Sequence, residues 1–430
     1  MQLQHPDAVP SLVYANQHGE IKNFPGLDMA GRSGNFFYKP ALEDLVPLPE
    51  GSELFLLPER LPIGIAPDNN SPHLLDHDPD GSREKIQAVA AFMAPAHTAI
   101  YTAAYEPARS DLAPLPLFAY TAVGWHAGRF WVAAFRSDPD KRQDALSFDS
   151  EKIKKKTIQH LKKNPGNRLI QHLGKCCLTY GCPAARNYFL GRWEAPLPTS
   201  PSCNARCVGC ISLQPSGCCP ATQDRINFVP KVAELSDIAI PHLQQADRAI
   251  VSFGQGCEGE PLLQADIITK AIRSIRSRTD RGTINLNSNS SLPCRIRLLA
   301  DAGLDSLRVS LNSARAAYHA RYYRPVNFSL ADVLESIDVM KKAGKFVSLN
   351  YFILPGFTDD PDEYAALCML IDVHQPDLIQ LRNLNMDPDW YLETVQYQPE
   401  SPPMGMRNWL IKLKNSYPAL RFGYYNPSLR

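Results

Sequence analysis

Three cysteines stand three and then two residues apart in the stretch Cys203-Asn-Ala-Arg-Cys207-Val-Gly-Cys210. Thiolate is a soft ligand of the kind that iron–sulfur clusters and zinc select. Three thiolates fall one short of a closed four-ligand shell, so the last corner is filled from elsewhere in the chain or left open to a substrate. An iron–sulfur cluster, a zinc knot and three unrelated buried thiols all remain open on the spacing alone. Five more cysteines flank the stretch: Cys176, Cys177 and Cys182 before it, Cys218 and Cys219 after it. Their number fits a second, auxiliary iron–sulfur cluster, but their spacing specifies none, and small buried residues are the alternative. A further loop reads Gly254-Gln-Gly-Cys257-Glu258-Gly259-Glu260-Pro261. Its glycines permit close backbone approach to a ligand. Its carboxylates can accept hydrogen bonds from an ammonium group, and Cys257 is read as a spectator.

These residues need a scaffold, and from about Trp193 the chain supplies one. Strand-like and helix-like segments alternate, the pattern of an α/β unit with a parallel sheet. Strands are expected at Ala249–Phe253, Gly282–Leu286, Ser306–Leu311, Phe346–Leu354 and Leu378–Leu384. Helices are expected between them, the one before Ala249 broken or restarted at Pro241. With one strand ahead of the cysteine loop this makes about six βα units, a partial (βα)6 TIM-type barrel. Catalytic groups of such barrels gather at strand C-terminal ends, where Gln380, Arg382 and Asn383 also fall. Residues 1–149 read as a β-rich N-terminal domain, with the clearest hairpin at Phe118–Trp125 and Arg129–Phe135. Residues 150–192 form a helical, cysteine-containing connector, residues 193–390 the barrel, and residues 391–430 a C-terminal extension with one helix and a short strand.

The C-x3-C-x2-C spacing resembles the cluster motif of the radical S-adenosylmethionine (SAM) superfamily. Gly259-Glu260-Pro261 resembles the Gly-Gly-Glu-Pro motif found there after the next strand, with Glu258 in place of the first glycine. Leu286-Asn287-Ser-Asn289 resembles the family's Thr-Asn-Gly stretch. The segment from Ala302 to Asn312 resembles its Ala-Gly-Leu-Asp…Ser-Leu segment, and Leu354-Pro355-Gly-Phe-Thr-Asp359 its Pro-Gly-x-x-Asp turn. The resemblance covers roughly residues 194–390. It implies a 4Fe–4S cluster on Cys203, Cys207 and Cys210, whose fourth iron chelates SAM. It also implies reductive cleavage of SAM to a 5′-deoxyadenosyl radical, and hydrogen abstraction from a substrate that the motifs do not identify. Gly259, Glu260, Pro261, Asn287, Ser310, Asn312, Arg324 and Pro355 match positions that contact SAM, and an electron donor such as flavodoxin or ferredoxin is implied. One departure is Gly209, where many members carry an aromatic residue against the adenine. Two other readings stand beside this one: a non-catalytic iron–sulfur or zinc-binding scaffold, and an RNA-modifying member of the same superfamily.

Composition narrows the choice. A net charge of +1 gives no general attraction to polyanions. The lysine run Lys152, Lys154, Lys155, Lys156, Lys162 and Lys163 reads as a solvated helix face rather than a nucleic-acid grip. No apolar run approaches the ~20 residues of a membrane span, and the start lacks the pattern of a signal peptide. The chain is therefore read as cytosolic. Eleven cysteines in a reducing compartment point to metal or redox work rather than to disulfides.

Overall fold

Seven strands follow one another in chain order across one sheet: Glu194–Pro196, Ile250–Phe253, Thr283–Ser288, Ser306–Leu311, Phe346–Ile353, Leu378–Asn383 and Arg421–Gly423. The computed structural model describes residues 5–81, 84–214, 217 and 219–430. Pairing is parallel from the first strand to the fifth and again from the sixth to the seventh. Helices fill the crossovers, as a parallel sheet requires. They include Val232–Gln245, Ala265–Arg276, Pro293–Ala302, Leu330–Lys342 and Pro361–His374. Each of the first four buries a stripe at three- or four-residue spacing, such as Ile268, Ile272 and Ile275 or Val333, Ile337 and Met340.

The strands alternate in chemistry. Val251, Ile284, Leu286, Leu307, Val309, Val347 and Leu349 form one buried apolar face. The opposite face is polar, and the register makes its members neighbours. Ser252 pairs with Asn285 and Asn285 with Ser306, Asn287 with Arg308 and Arg308 with Ser348, and Ser310 with Asn350. Parallel strands with both faces in apolar core read as continuous hydrophobic runs. This sheet instead reserves one face for hydrogen bonding.

The chain divides into two compact units. One comprises Asp140–Tyr351, Leu367–Gln380 and Ala419–Arg430, the other Met1–Pro139, Phe352–Ala366 and Leu381–Pro418. The second unit is built on antiparallel strands, among them Ser11–Ala15, Ile21–Met29, Val123–His126 and Arg129–Arg136. Its core packs Val13, Ala15, Val89, Ala91, Val123 and Val132 together.

Several sequence expectations need correction. A single helix runs from Val232 to Gln245 straight through Pro241. Proline forfeits one backbone hydrogen bond, but Leu235, Ile238, Ala239 and Leu243 are all buried and hold the helix on both sides of it. The strand before the 127–128 turn is only Val123–His126, because Thr121 instead bridges Ala91 and Thr102. The sheet gains a seventh strand from the C-terminal segment, and Asn312 lies just beyond its strand, which ends at Leu311. Among the described residues no helix is long and apolar enough to cross a membrane.

Candidate functional site

The cysteine stretch leaves the first strand and is pinned from three directions. Tyr322 and Tyr323 accept from the backbone N–H groups of Val208 and Arg206 at 3.1 and 2.9 Å, and Val326 donates to the Asn204 carbonyl at 2.9 Å. The Gln214 side-chain amide folds back to the carbonyls of Val208 and Cys210 at 3.0 and 2.7 Å. The loop after the second strand supplies the third contact, with Gly259 N–H donating to Ser200 O at 2.6 Å and Glu260 N–H to Ser202 O at 2.9 Å. A Cβ on Gly259 would stand 2.0 Å from the Ser202 carbonyl oxygen. The glycine is therefore dictated by the backbone that leads into Cys203.

Two glutamates on either side of Gly259 do different work in this loop. Glu260 is buried and accepts from Ser288 Oγ at 2.6 Å, Leu262 N–H at 2.9 Å and Asn289 N–H at 2.9 Å. Burial pushes it up to about 7 against those hydrogen bonds. Glu258 accepts from Thr199 N–H at 2.7 Å, Thr199 Oγ1 at 3.0 Å, Ser200 N–H at 3.0 Å and Gln255 N–H at 2.7 Å. Burial likewise raises it to about 7. Glu258 is thus a clamp on the segment entering the cysteine stretch, a role the sequence shows only as a departure from a motif.

Cys203 is pushed up to about 11, first by burial and then by the Glu260 carboxylate. Cys207 is driven well above the thiol range by burial and then by Cys203 and Cys210. Cys203 and Cys210 thus lie near enough to Cys207 to disfavour its thiolate. Cys210 also receives a hydrogen bond from Arg225 Nη2 at 3.4 Å, while Arg225 Nε donates to Ser212 Oγ at 3.1 Å. Arg225 was not marked by any motif; its contact is tertiary. Three neighbouring thiols, one of them with a guanidinium beside it, fit an anionic iron–sulfur centre. The donor set is all sulfur, and hydrogen bonds to sulfur are among the levers on such a centre's potential.

The other sequence-marked residues are placed as follows. Pro261 is buried at the start of the short helix Pro261–Gln264, which Glu260 caps. Asn287 Nδ2 donates to Gly254 O at 2.8 Å and its Oδ1 accepts from Asn285. Ser310 is half-buried on the polar sheet face, and Asn312 is fully buried with Nδ2 donating to Tyr318 O at 3.2 Å. Arg324 is an exposed, left-handed C-terminal cap of the Ala316–Tyr323 helix. Pro355 belongs to the antiparallel unit, where its carbonyl accepts from Gly34 N–H at 3.1 Å. Asn383 bonds His97 O and Ala99 N–H in that same unit, and Gln380 donates to Asn426 in the parallel one.

The flanking cysteines separate. Cys177 Sγ lies 3.4 Å from Thr157 Oγ1, Cys182 is pushed up to about 11 by burial, and Cys219 is buried. Cys218 lies outside the described residues. Cys176 stands apart from this group: its Sγ is 3.6 Å from His172 Nε2, and its thiol pairs with that of Cys257. Hydrogen bonding from Cys257 and His172 pulls Cys176 down, while the same pairing and burial push Cys257 up. Among the described residues, His172, Cys176 and Cys257 alone bring three such ligand atoms within 4.8 Å of one another.

Residues 197–368 match the Radical SAM superfamily. It is similar to a GTP 3′,8-cyclase of Acidothermus cellulolyticus, 32% identical over 172 residues, which are 38% of this chain and 44% of that one. It is also similar to a probable dual-specificity RNA methyltransferase RlmN of Synechococcus sp. (strain JA-2-3B'a(2-13)), 29% identical over 148 residues, 34% of this chain and 42% of the relative. The chain thus spans less than half the length of these relatives. A solved methylornithine synthase (PylB) overlaps it at a TM-score of 0.37 and 15% identity, over 62% of this chain and 77% of that one. The family implies a 4Fe–4S cluster and SAM, a reductant and a substrate.

Proposed function

We propose that this chain is a radical SAM enzyme whose 4Fe–4S cluster is held by Cys203, Cys207 and Cys210, and that it abstracts hydrogen from a polar substrate. The observation that carries the reading is the seating of the cysteine stretch on Gly259 and Glu260, where a single Cβ would break the contact. Held there by Cys203, Cys207 and Cys210, the cluster would supply the one-electron chemistry of SAM cleavage. The chain's own residues do the rest. The three thiolates leave one corner open, and Arg225 sets charge beside Cys210. Gly259, Glu260 and Pro261 present backbone and carboxylate to the SAM ammonium group, and Asn287, Ser310, Asn312 and Arg324 are proposed further SAM contacts.

The parallel sheet is read as an open, partial (βα)6 barrel spanning 193–390, with the β-rich region at 1–149, the connector at 150–192 and the extension at 391–430. Its polar face gives the substrate hydrogen-bonding groups rather than an apolar slot. Relatives named for GTP and for RNA support a nucleotide-containing substrate. A small flavodoxin or ferredoxin is the proposed electron donor.

The test is anaerobic. Wild type and Cys203→Ala are reconstituted with iron and sulfide, reduced with dithionite and given SAM, and 5′-deoxyadenosine is measured. Production by wild type and none by the variant is expected. A wild type that carries a full cluster yet neither cleaves SAM nor changes its EPR signal with SAM overturns the enzyme reading in favour of a structural metal protein.

A further inference from the structure

We infer that His172, Cys176 and Cys257 form a second metal site, separate from the cysteine stretch, that binds a single zinc ion. His172 and Cys176 lie four residues apart on the helix Arg168–Leu178, so they project from one face of it. Cys257 comes from the loop between the second strand and Glu260. All three belong to the parallel-sheet unit. Both cysteines are buried, and the histidine is half-buried.

The spacing selects the kind of metal. Zinc–sulfur and zinc–nitrogen bonds of ~2.3 and ~2.05 Å at a tetrahedral angle set nitrogen and sulfur about 3.6 Å apart. His172 Nε2 and Cys176 Sγ are 3.6 Å apart. All three ligand atoms fit within 4.8 Å, the reach of one ion. A four-iron cube needs its ligands at separate corners and spreads them further. The ligand set of one imidazole and two sulfurs suits zinc, and three protein ligands leave the fourth position to water. Binding releases the thiol protons, because the ligating forms are thiolate and neutral imidazole. Plain burial of a thiol explains one cysteine in a core. It does not explain two thiols and an imidazole meeting from a helix and from a loop 81 residues on from Cys176. The ion ties the connector helix to the loop that carries Gly259 and Glu260.

The inference stands apart from SAM chemistry and is tested without it. The full chain is isolated with zinc chloride present, desalted, and analysed for zinc and iron by mass spectrometry. The same is done for His172→Gln, Cys257→Ser and the combined Cys203→Ala, Cys207→Ala, Cys210→Ala variant. In parallel, cobalt(II) is titrated into the metal-free triple variant, whose motif positions can no longer contribute thiolate bands. The expected result is about one zinc per chain in wild type and in the triple variant, since a single tetrahedral ion is involved. His172→Gln and Cys257→Ser should bind at least ~10-fold more weakly. Cobalt should show tetrahedral ligand-field bands with thiolate charge transfer. Absence of those bands in the triple variant, loss of its zinc while its circular dichroism matches that of wild type, or extra iron in place of zinc overturns the inference. The zinc content and cobalt spectrum of the triple variant decide the matter even where the single variants misfold.

Discussion

The molecule gathers cysteines in two ways within one unit. The thiols of Cys203, Cys207 and Cys210 come from one irregular segment, which is seated by other elements. The set of His172, Cys176 and Cys257 takes two ligands from one regular helix and one from a loop. A helix fixes its ligands at close range before any metal arrives, so it suits one small ion. A loop whose thiols face an open centre suits a larger group and depends on its supports. The loop 254–260 takes part in both arrangements. Its Cys257 joins the compact set, while Glu258, Gly259 and Glu260 hold the open one.

If the two sets are independent, removing a motif thiol gives the largest and most selective effect. Cys207→Ala is expected to cut reconstituted iron from about four per chain to near zero while zinc stays unchanged, read by metal analysis. Loss of both metals would merge the two sets into one.

Gly259→Ala comes next. The added methyl meets the Ser202 carbonyl at 2.0 Å, and overpacking of this kind costs about 2–3 kcal/mol. Urea unfolding should show that loss, and iron loading should fall several-fold with it. Glu258→Ala orphans the Thr199, Ser200 and Gln255 N–H groups, a loss of roughly 2 kcal/mol by the same measurement. Glu258→Gln should recover part of it.

Arg225→Ala should leave iron content alone and lower the cluster's reduction potential, because a positive donor to Cys210 is gone. An EPR-monitored redox titration reads this, and an unchanged potential would reduce Arg225 to a packing residue.

The smallest effect concerns the helix that carries His172. Its first residue, Arg168, bonds Glu234 at 2.7 and 2.9 Å and holds that carboxyl down at about 2 instead of 4.5. A folded-state value below the unfolded one means the stabilisation is present above about pH 4.5 and is lost as pH falls towards 2. Because Arg168 is nearly half exposed, solvent screening keeps the contribution of the pair small. Thermal unfolding of wild type and Arg168→Ala should differ at pH 7 and converge as pH drops through that window, with the cysteine stretch unaffected.

The sequence makes the parallel strands and the cysteine stretch legible for local reasons. Strand runs such as Ile250–Phe253 and Ser306–Leu311 are short, apolar or alternating, and bounded by glycine or polar turns. The requirement for glycine at 259 is visible as a motif, and its cause is a contact with residues 57 positions earlier, at Ser202. What is not legible is tertiary. Pro241 reads as a break because the rule for proline is local, whereas the buried residues around it are supplied by packing. Cys257 reads as a spectator because nothing in its own loop points to a helix 81 residues earlier. Short polar side chains are the hardest case. Asn287, Asn312 and Asn383 read as groups for a ligand, and each also bonds a protein carbonyl that no spacing announces.

The clamp at Glu258 has a consequence for how such chains diverge. Its two oxygens serve four donors at Thr199, Ser200 and Gln255. A glycine at that position, the residue the family motif carries, would set those donors free and remove any reason to keep a hydroxyl at 199. Positions 199 and 258 should therefore covary across relatives: threonine or serine appears with glutamate, and the pair is replaced together, so that the identity of one residue forecasts the other.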